Sequence, residues 1–420
     1  MNQNSLKTLV LSLQPVYPPM GGAALRNWQN INIFLELGEV ATFTIGSFES
    51  FARPASQINY PGVTIAVNHE VAELDRTRSL VDRLKRKYWK LRPQGHILTD
   101  RFYTHTIANS LRQLMMEWQP QIVLVEELWF YRYLKIIKQF DCKIIYDSHN
   151  INTALSRELD DLQANTLSAK AKKLQTRVEK IERATFNLCD RIWTCSQEEI
   201  DLLQQLYGQS VPATVIPNGI NLSSYEGATA SSHIAKDILE QPKTIMYAGT
   251  FSYAPNSLAA ELLIDRIYPQ LQQKYLDCRL LLIGRNPTQY MLKAAERNPN
   301  IVVTGSVPNV IPYLKSFQIM VVPLFQGSGT RLKILEAFAA GCPVVSTPKG
   351  AEGLAVEPCQ HLLLGDEVEN LVFQVDRLWS NPSLAEHLSH NAYQLVHSQY
   401  SWQGIKPQVA DAVTGLLLAP

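Results

Sequence analysis

The sequence predicts an α/β protein built from two doubly wound parallel-sheet domains, and three observations carry that prediction. Short apolar runs of strand length alternate with longer segments of helical spacing along nearly the whole chain. The apolar run at 6–13 leads into a glycine turn at Gly21-Gly22 and a helix, and the same order returns at 244–248 with Gly249-Thr250. A length of 420 residues also exceeds what one hydrophobic core usually supports.

Composition narrows the function classes. Lys and Arg number 39 against 38 Asp and Glu, a net charge of +1, which argues against a dedicated nucleic-acid binder. The six cysteines show no C-x-x-C pair and no metal-ligand spacing, so they read as buried free thiols in a reducing compartment. The apolar run at 9–13 is too short for a signal segment, and no window approaches a membrane span. A cytoplasmic protein is expected, with peripheral association at the cytoplasmic face of the membrane as a further option.

Taken in order, residues 6–13 form the first strand, closed by Pro15, Pro18 and Pro19, and a helical pattern follows through Trp28, Ile31 and Leu35. Gly21-Gly22 is not a G-x-G-x-x-G fingerprint, so it reads as a loop offering backbone amides to a substrate. Strands are predicted at 40–45 and 63–67. Residues 76–92 are rich in Arg and Lys, with Leu80, Leu84, Tyr88 and Leu91 at helical spacing. Such a helix suits an anionic membrane surface or an anionic lipid substrate, and the alternative is a solvated face above a core face. The strand at 122–125 ends in Glu126-Glu127, and that at 143–146 ends in Asp147-Ser148-His149-Asn150. His149 thus falls just past a strand's carboxyl end, where doubly wound sheets bind ligands. One long helical pattern over 157–186 precedes a strand at 191–194. Ser196 and Glu199 predict a capping box, and a strand follows at 213–216.

Residues 221–243 are Ser- and Ala-rich and read as a linker. The domain boundaries expected are 1–220, 244–397, and a segment 398–420 that crosses back to the first domain. In the second domain the strands at 244–248, 279–283 and 301–303 each end at a glycine, Gly249, Gly284 and Gly305, bringing backbone into one rim suited to a flat base and a diphosphate. After the strand at 319–323 comes Gly327-Ser328-Gly329-Thr330-Arg331-Leu332-Lys333, then a helix through Glu336, Gly341 as its left-handed stop, and a Val344-Val345-Ser346 strand. Small residues, a helix N-terminus and two cations make an anion site.

Together these motifs resemble the family 4 retaining glycosyltransferases of the GT-B fold, group 1 glycosyl transferase type, over nearly the whole chain. The resemblance implies two Rossmann-like domains facing across a cleft, with the sugar nucleotide held mainly by the second. It implies donor contacts from Gly249, Thr250, Gly284, Arg285, Gly305, Ser306, Val307, Ser328, Gly329, Thr330, Leu332 and Glu336, and an acceptor-side loop at Gly21 and Gly22. Glu336 matches the second of the family's two glutamates, associated with ribose hydroxyls, and Ser328 stands where the first would be. The family's cationic pair after the first strand of the second domain is not evident at 249–256. Arg331 and Lys333 are the expected substitutes, ahead of Arg285. His149 matches the family's first-domain histidine, which hydrogen-bonds the donor sugar. His149, Arg331 and Lys333 are therefore the expected catalytic set.

The activity implied is hexosyl transfer from a nucleoside diphosphate sugar to a saccharide or lipid-linked acceptor, in cell-surface polysaccharide or glycolipid synthesis. No Asp-x-Asp motif and no paired hydrolase-type carboxylates stand out, so neither metal nor other cofactor is expected. A sugar-nucleotide epimerase and a non-catalytic nucleotide-sugar-binding subunit are the competing readings.

Overall fold

The structure is a computed structural model that describes residues 5–19, 22–49, 51, 54–72, 84, 87–89, 91–92, 94–162, 169–208, 212–226, 243–316, 319–327 and 331–418. The chain divides into two compact units, one of residues 1–217 with 406–420, the other of residues 218–405. Each has its own parallel sheet and its own core.

Among the described residues the first unit's sheet comprises β1 (Leu6–Ser12), β2 (Gly38–Gly46), β3 (Ile65–Glu70), β4 (Ile122–Val125), β5 (Lys143–Asp147), β6 (Arg191–Thr194) and β7 (Ala213–Val215). Their order is β3-β2-β1-β4-β5-β6-β7, with every pairing parallel. The near-continuous apolar runs in β1 and β4 follow from this, because a central parallel strand is covered by helices on both faces. Leu9, Val10, Leu11 and all four residues of β4 are fully enclosed. The strand order reverses between β1 and β4, so the loops after these two strands diverge and leave a crevice at the sheet's carboxyl edge.

The second unit repeats the plan with β8 (Thr244–Ala248), β9 (Arg279–Ile283), β10 (Ile301–Gly305), β11 (Ile319–Val322), β12 (Val344–Ser346) and β13 (Leu363–Leu364), ordered β10-β9-β8-β11-β12-β13. Here the reversal lies between β8 and β11. The Leu332–Ala339 helix connects β11 to β12 and ends as its sequence predicts. Gly341 takes φ 72°. Its N–H bonds to the Phe338 carbonyl at 3.1 Å and that of Cys342 to Ala337 at 2.8 Å, a complete Schellman stop.

Several elements differ from expectation. The two-residue β13 is too short to carry a strand signal of its own. The expected helix over 157–186 is described as Asn152–Leu162 and Ala169–Phe186, with 163–168 outside the described residues. The linker expected at 221–243 starts inside the second unit, because Leu222 and Tyr225 are buried in its core; 227–242 lie outside the described residues. Ser196 caps its helix by accepting from the Glu199 N–H at 3.4 Å, but the Glu199 carboxylate reaches the Cys195 N–H at 2.7 Å, one residue earlier than a capping box requires. Of the cysteines, Cys189, Cys195, Cys278 and Cys342 are buried, whereas Cys142 is partly buried and Cys359 exposed. The chain closes with the Trp402–Leu418 helix, whose Lys406 pairs with Glu36 of the first unit.

Candidate functional site

In the second unit, the three glycine strand ends meet at one edge. The Gly249 N–H bonds to the Ile283 carbonyl at 2.9 Å, the Gly284 N–H to Gly305 at 3.0 Å, and the Phe251 N–H to Arg285 at 2.9 Å. Gly284 has φ +146°, and a Cβ there would overlap the Gly249 carbonyl group. Only glycine lets the loops after β8 and β9 lie this close. Replacing Gly284 by Ala is therefore expected to force these loops apart and lower the melting temperature in thermal unfolding, with far-UV circular dichroism retained at room temperature. The Arg285 side chain is exposed at this rim, as is Ser306, while Gly249, Thr250, Gly305 and Val307 are partly buried.

Across the strand reversal the Leu332–Ala339 helix points its N-terminus at the same edge. Among the described residues no side chain caps its start. Arg331 and Lys333 then do different things. The Arg331 guanidinium is buried and bonds to backbone carbonyls, Gly327 at 2.5 Å and Lys349 at 3.2 Å, with Glu352 3.8 Å away. It holds the loop before the helix against the turn after β12.

The Lys333 ammonium instead reaches over to the end of β8. It donates to the Tyr247 hydroxyl at 2.6 Å and to Asn256 Oδ1 at 2.9 Å, and lies 4.0 Å from the Tyr247 ring centroid. Asn256 is itself oriented by donating to the Thr250 carbonyl at 3.0 Å. Among the described residues no carboxylate pairs with Lys333, and burial, reinforced by the Arg331 charge, lowers its pKa to about 7. A cation on the first turn of a helix at a strand reversal, with no carboxylate bonded to it among the described residues, is chemically suited to an anion. Glu336 lies one turn further on, partly buried, its pKa raised to about 7 by burial against the opposing pull of Lys333. Gly327 takes φ 104° and closes the loop beside Tyr253. Ser328, Gly329 and Thr330 lie outside the described residues, as does Gly21.

In the first unit, Gly22 opens the Gly22–Leu37 helix beside the β1–β4 reversal. This helix carries a buried polar face of Arg26, Asn27, Gln29 and Asn30. The Arg26 guanidinium grips Asp147 at the end of β5 through Nε and Nη2 at 2.8 and 2.5 Å, and Asn30 donates to the same carboxylate at 2.7 Å. Arg26 also reaches the Ile216 carbonyl at 2.7 Å, tying in the chain after β7. Burial alone would depress the Arg26 pKa, but Asp147 overrides it and the guanidinium stays charged.

His149 sits on this pair, its Nε2 3.9 Å from Asp147 Oδ2, beyond hydrogen-bond reach. Among the described residues that nitrogen has no hydrogen-bond partner. Burial lowers the ring's pKa to about 4, against the pull of Asp147, so His149 is neutral at physiological pH. Glu126, at the end of β4, is fully buried beside Ser12. Burial and the neighbouring Asp147 charge push its pKa well above the usual carboxylate range, and burial holds Glu127 at about 7.

Sequence reasoning placed His149, Glu126 and the three glycines at strand ends and Lys333 at the start of a helix. It missed Arg26, whose signal was a charged residue four positions before Asn30 on the polar face of the Gly22–Leu37 helix. It also missed Tyr247 and Asn256, which carry no motif and matter only because Lys333 lands between them.

Two family models match the sequence, Glycosyltransferase Family 4 over residues 61–224 and Glycosyl transferases group 1 over residues 242–381. No curated protein matches it. Among solved structures, sucrose-phosphate synthase from Thermosynechococcus elongatus superposes with a TM-score of 0.72 at 16% identity, covering 99% of this chain and 100% of the other. HepE from Anabaena, solved with UDP, gives 0.66 at 14% identity, covering 98% and 100%. The α,α-trehalose 6-phosphate synthase of Burkholderia multivorans gives 0.66 at 12% identity, covering 98% and 99%. At these identities the superpositions establish the shared two-domain GT-B fold.

Proposed function

The chain belongs to the family 4 glycosyltransferases of the GT-B fold, and on that premise we propose that it transfers a hexosyl group from a nucleoside diphosphate sugar to an acceptor hydroxyl, with retention at the anomeric carbon. The observation that carries the donor half of this reading is Lys333, a cation bonded to Tyr247 and Asn256 with no carboxylate partner among the described residues, at the β8–β11 reversal. A diphosphate fits there between the ammonium and the uncapped helix N-terminus, and Glu336 is placed one turn on for the ribose hydroxyls. Arg331 acts by holding the loop around the diphosphate. Gly249, Gly284 and Gly305 supply the backbone rim for the base and phosphates.

In the reaction the bond from the anomeric carbon to the phosphate oxygen breaks and one to the acceptor oxygen forms on the same face. The acceptor proton passes to the departing phosphate oxygen, so no protein base is required. Lys333 and the helix N–H groups stabilise the charge that develops on the diphosphate. His149 is a poor base at pKa about 4, and its role is a neutral hydrogen bond to the transferred sugar, on the rigid footing of the Arg26–Asp147 pair. The acceptor is a saccharide or lipid-linked saccharide taken by the first unit's loops.

The test is a panel of nucleoside diphosphate sugars screened by thermal shift and then for nucleotide release. UDP-glucose comes first because a HepE structure contains it. One donor is expected to raise the melting temperature, as a ligand binding only the folded state must. Its nucleotide should be released only when an acceptor is added. His149→Ala is expected to lower that turnover by at least tenfold with the donor-induced shift preserved. A full panel that neither binds nor turns over overturns the reading.

A further inference from the structure

We propose that Glu182, on the Ala169–Phe186 helix, is a positioning residue for His149. The proposal rests on the reading of His149 as the group that meets the transferred sugar, and it concerns what holds that ring in place. The ring's Nε2 has no hydrogen-bond partner among the described residues, and Asp147 Oδ2 is 3.9 Å away. Its place is then set by packing and by the backbone on either side.

On the strand side that backbone is anchored. Arg26 and Asn30 grip Asp147, and the Ser148 N–H donates to the Trp193 carbonyl at 2.8 Å. On the other side Asn150 and Ile151 alone separate His149 from the Asn152–Leu162 helix. Ile151 stands at the N-cap of that helix, since its carbonyl accepts the first intrahelical bond, from the Leu155 N–H at 2.9 Å. An isoleucine side chain has no oxygen with which to cap, and this one is 2% exposed in the first unit's core.

Glu182 supplies the cap from 30 residues away. Its Oε1 accepts from the Asn152 N–H at 2.7 Å, and its Oε2 from the Thr153 N–H at 3.1 Å and the Tyr207 hydroxyl at 2.6 Å. The carboxylate is fully buried, and among the described residues no cation pairs with it. Its charge is held by two N–H groups at the positive end of a helix and by one hydroxyl. A buried anion is a costly cap where a serine or aspartate in the chain itself ordinarily serves. It contributes direction instead. The helix that carries it is seated through Val178, Ile181 and Phe186, so Glu182 fixes where the turn bearing His149 ends. A reacting group needs such support, because a misplacement of about 1 Å costs roughly 10²-fold in rate.

The test is Glu182→Gln, which keeps the size of the side chain and removes its charge. Ring nitrogen resonances of labelled histidine report on His149, assigned by their absence in His149→Ala. The wild-type ring, enclosed and facing Asp147 and Arg26, is expected to stay neutral between about pH 5 and 8. In Glu182→Gln its titration should move up into that range as the turn loosens and water reaches the ring. Thr104→Ala is the control. It removes the acceptor of the Ile107 N–H in another helix of the same unit, and should lower the melting temperature with the His149 titration unchanged.

In turnover, Glu182→Gln is expected to lower kcat roughly tenfold or more with the donor KM within about twofold. In the His149→Ala background the same change should cost less than about twofold, because nothing is left to position. If Glu182→Gln does not fold, Tyr207→Phe, which leaves both N–H groups their acceptor, should shift the same resonances in the same direction by less. A wild-type His149 titration in whichever variant folds overturns the proposal, as does a kcat loss undiminished in the His149→Ala background. A wild type that turns over no donor overturns the donor reading instead, and the titration still decides what Glu182 does.

Discussion

Replacing Lys333 by Met is expected to lower kcat/KM for glycosyl transfer by roughly 10²- to 10³-fold, the loss that follows removal of one preorganised donor to a developing negative charge. Met keeps the length of the side chain and removes only the charge and its two hydrogen bonds, so the Tyr247–Asn256 niche should survive. The pH dependence distinguishes a direct contact from a structural one. In the ligand-free protein the Lys333 pKa is lowered from 10.5 to about 7, chiefly by burial. A bound diphosphate favours the ammonium and raises that value. Between the free and bound values, binding takes up a proton, and donor affinity falls as pH rises above about 7.

Calorimetry at pH 8 in buffers of different ionisation enthalpy should show this uptake in the wild type and its loss in Lys333→Met. Glu336 works with the opposite sign. Its carboxyl is held at about 7, and accepting ribose hydroxyls favours the ionised form, so it releases a proton on binding. Glu336→Gln should therefore enlarge the net uptake. Without ligand, the unfolded chain holds the Lys333 proton between about pH 7 and 10.5 while the folded chain has shed it, so this group's contribution to stability increases with pH across that window. Wild-type kcat/KM in Lys333→Met would falsify the assignment of the diphosphate site.

Arg26→Met is expected to destabilise the first unit by about 3–5 kcal/mol, because it strands Asp147 as a buried carboxylate to which, among the described residues, Asn30 is the remaining side-chain donor. Few single changes cost as much. The pair is 1% and 0% exposed and joins three parts of the unit: the first helix, the end of β5 and the chain after β7. Urea unfolding followed by tryptophan emission measures the loss, with Trp193 reporting from inside the first unit's sheet. The double variant Arg26→Met, Asp147→Leu should recover most of the stability, because removing both charges removes the desolvation penalty. It should not recover transfer, since His149 would lose the charged pair on which it rests. A double variant as unstable as the single one would show that the loss came from packing around the helix.

The architecture of both units was legible because it is local. Strands such as residues 122–125 and 244–248 are apolar runs of strand length, and in a parallel sheet such runs are buried on both faces, so their composition alone marks them. Gly341 was legible for a similar reason: a left-handed stop needs a residue without a Cβ, whatever the fold around it. His149 and Glu126 could be placed because strand ends in doubly wound sheets are where ligands bind. Tertiary structure decided the rest, wherever function depended on which distant residues meet. Arg331 and Lys333 are two positions apart and equally basic, yet one is bound to backbone carbonyls while the other crosses to Tyr247 and Asn256. Leu84, Tyr88 and Leu91 have the spacing of a core face yet are exposed, while Trp89 beside them packs with Leu128, Tyr131, Val178 and Ile181. Periodicity tells which side chains share a face. It cannot tell which face the protein buries, because that depends on partners far away in sequence and on the free energy of desolvating each group where the fold puts it.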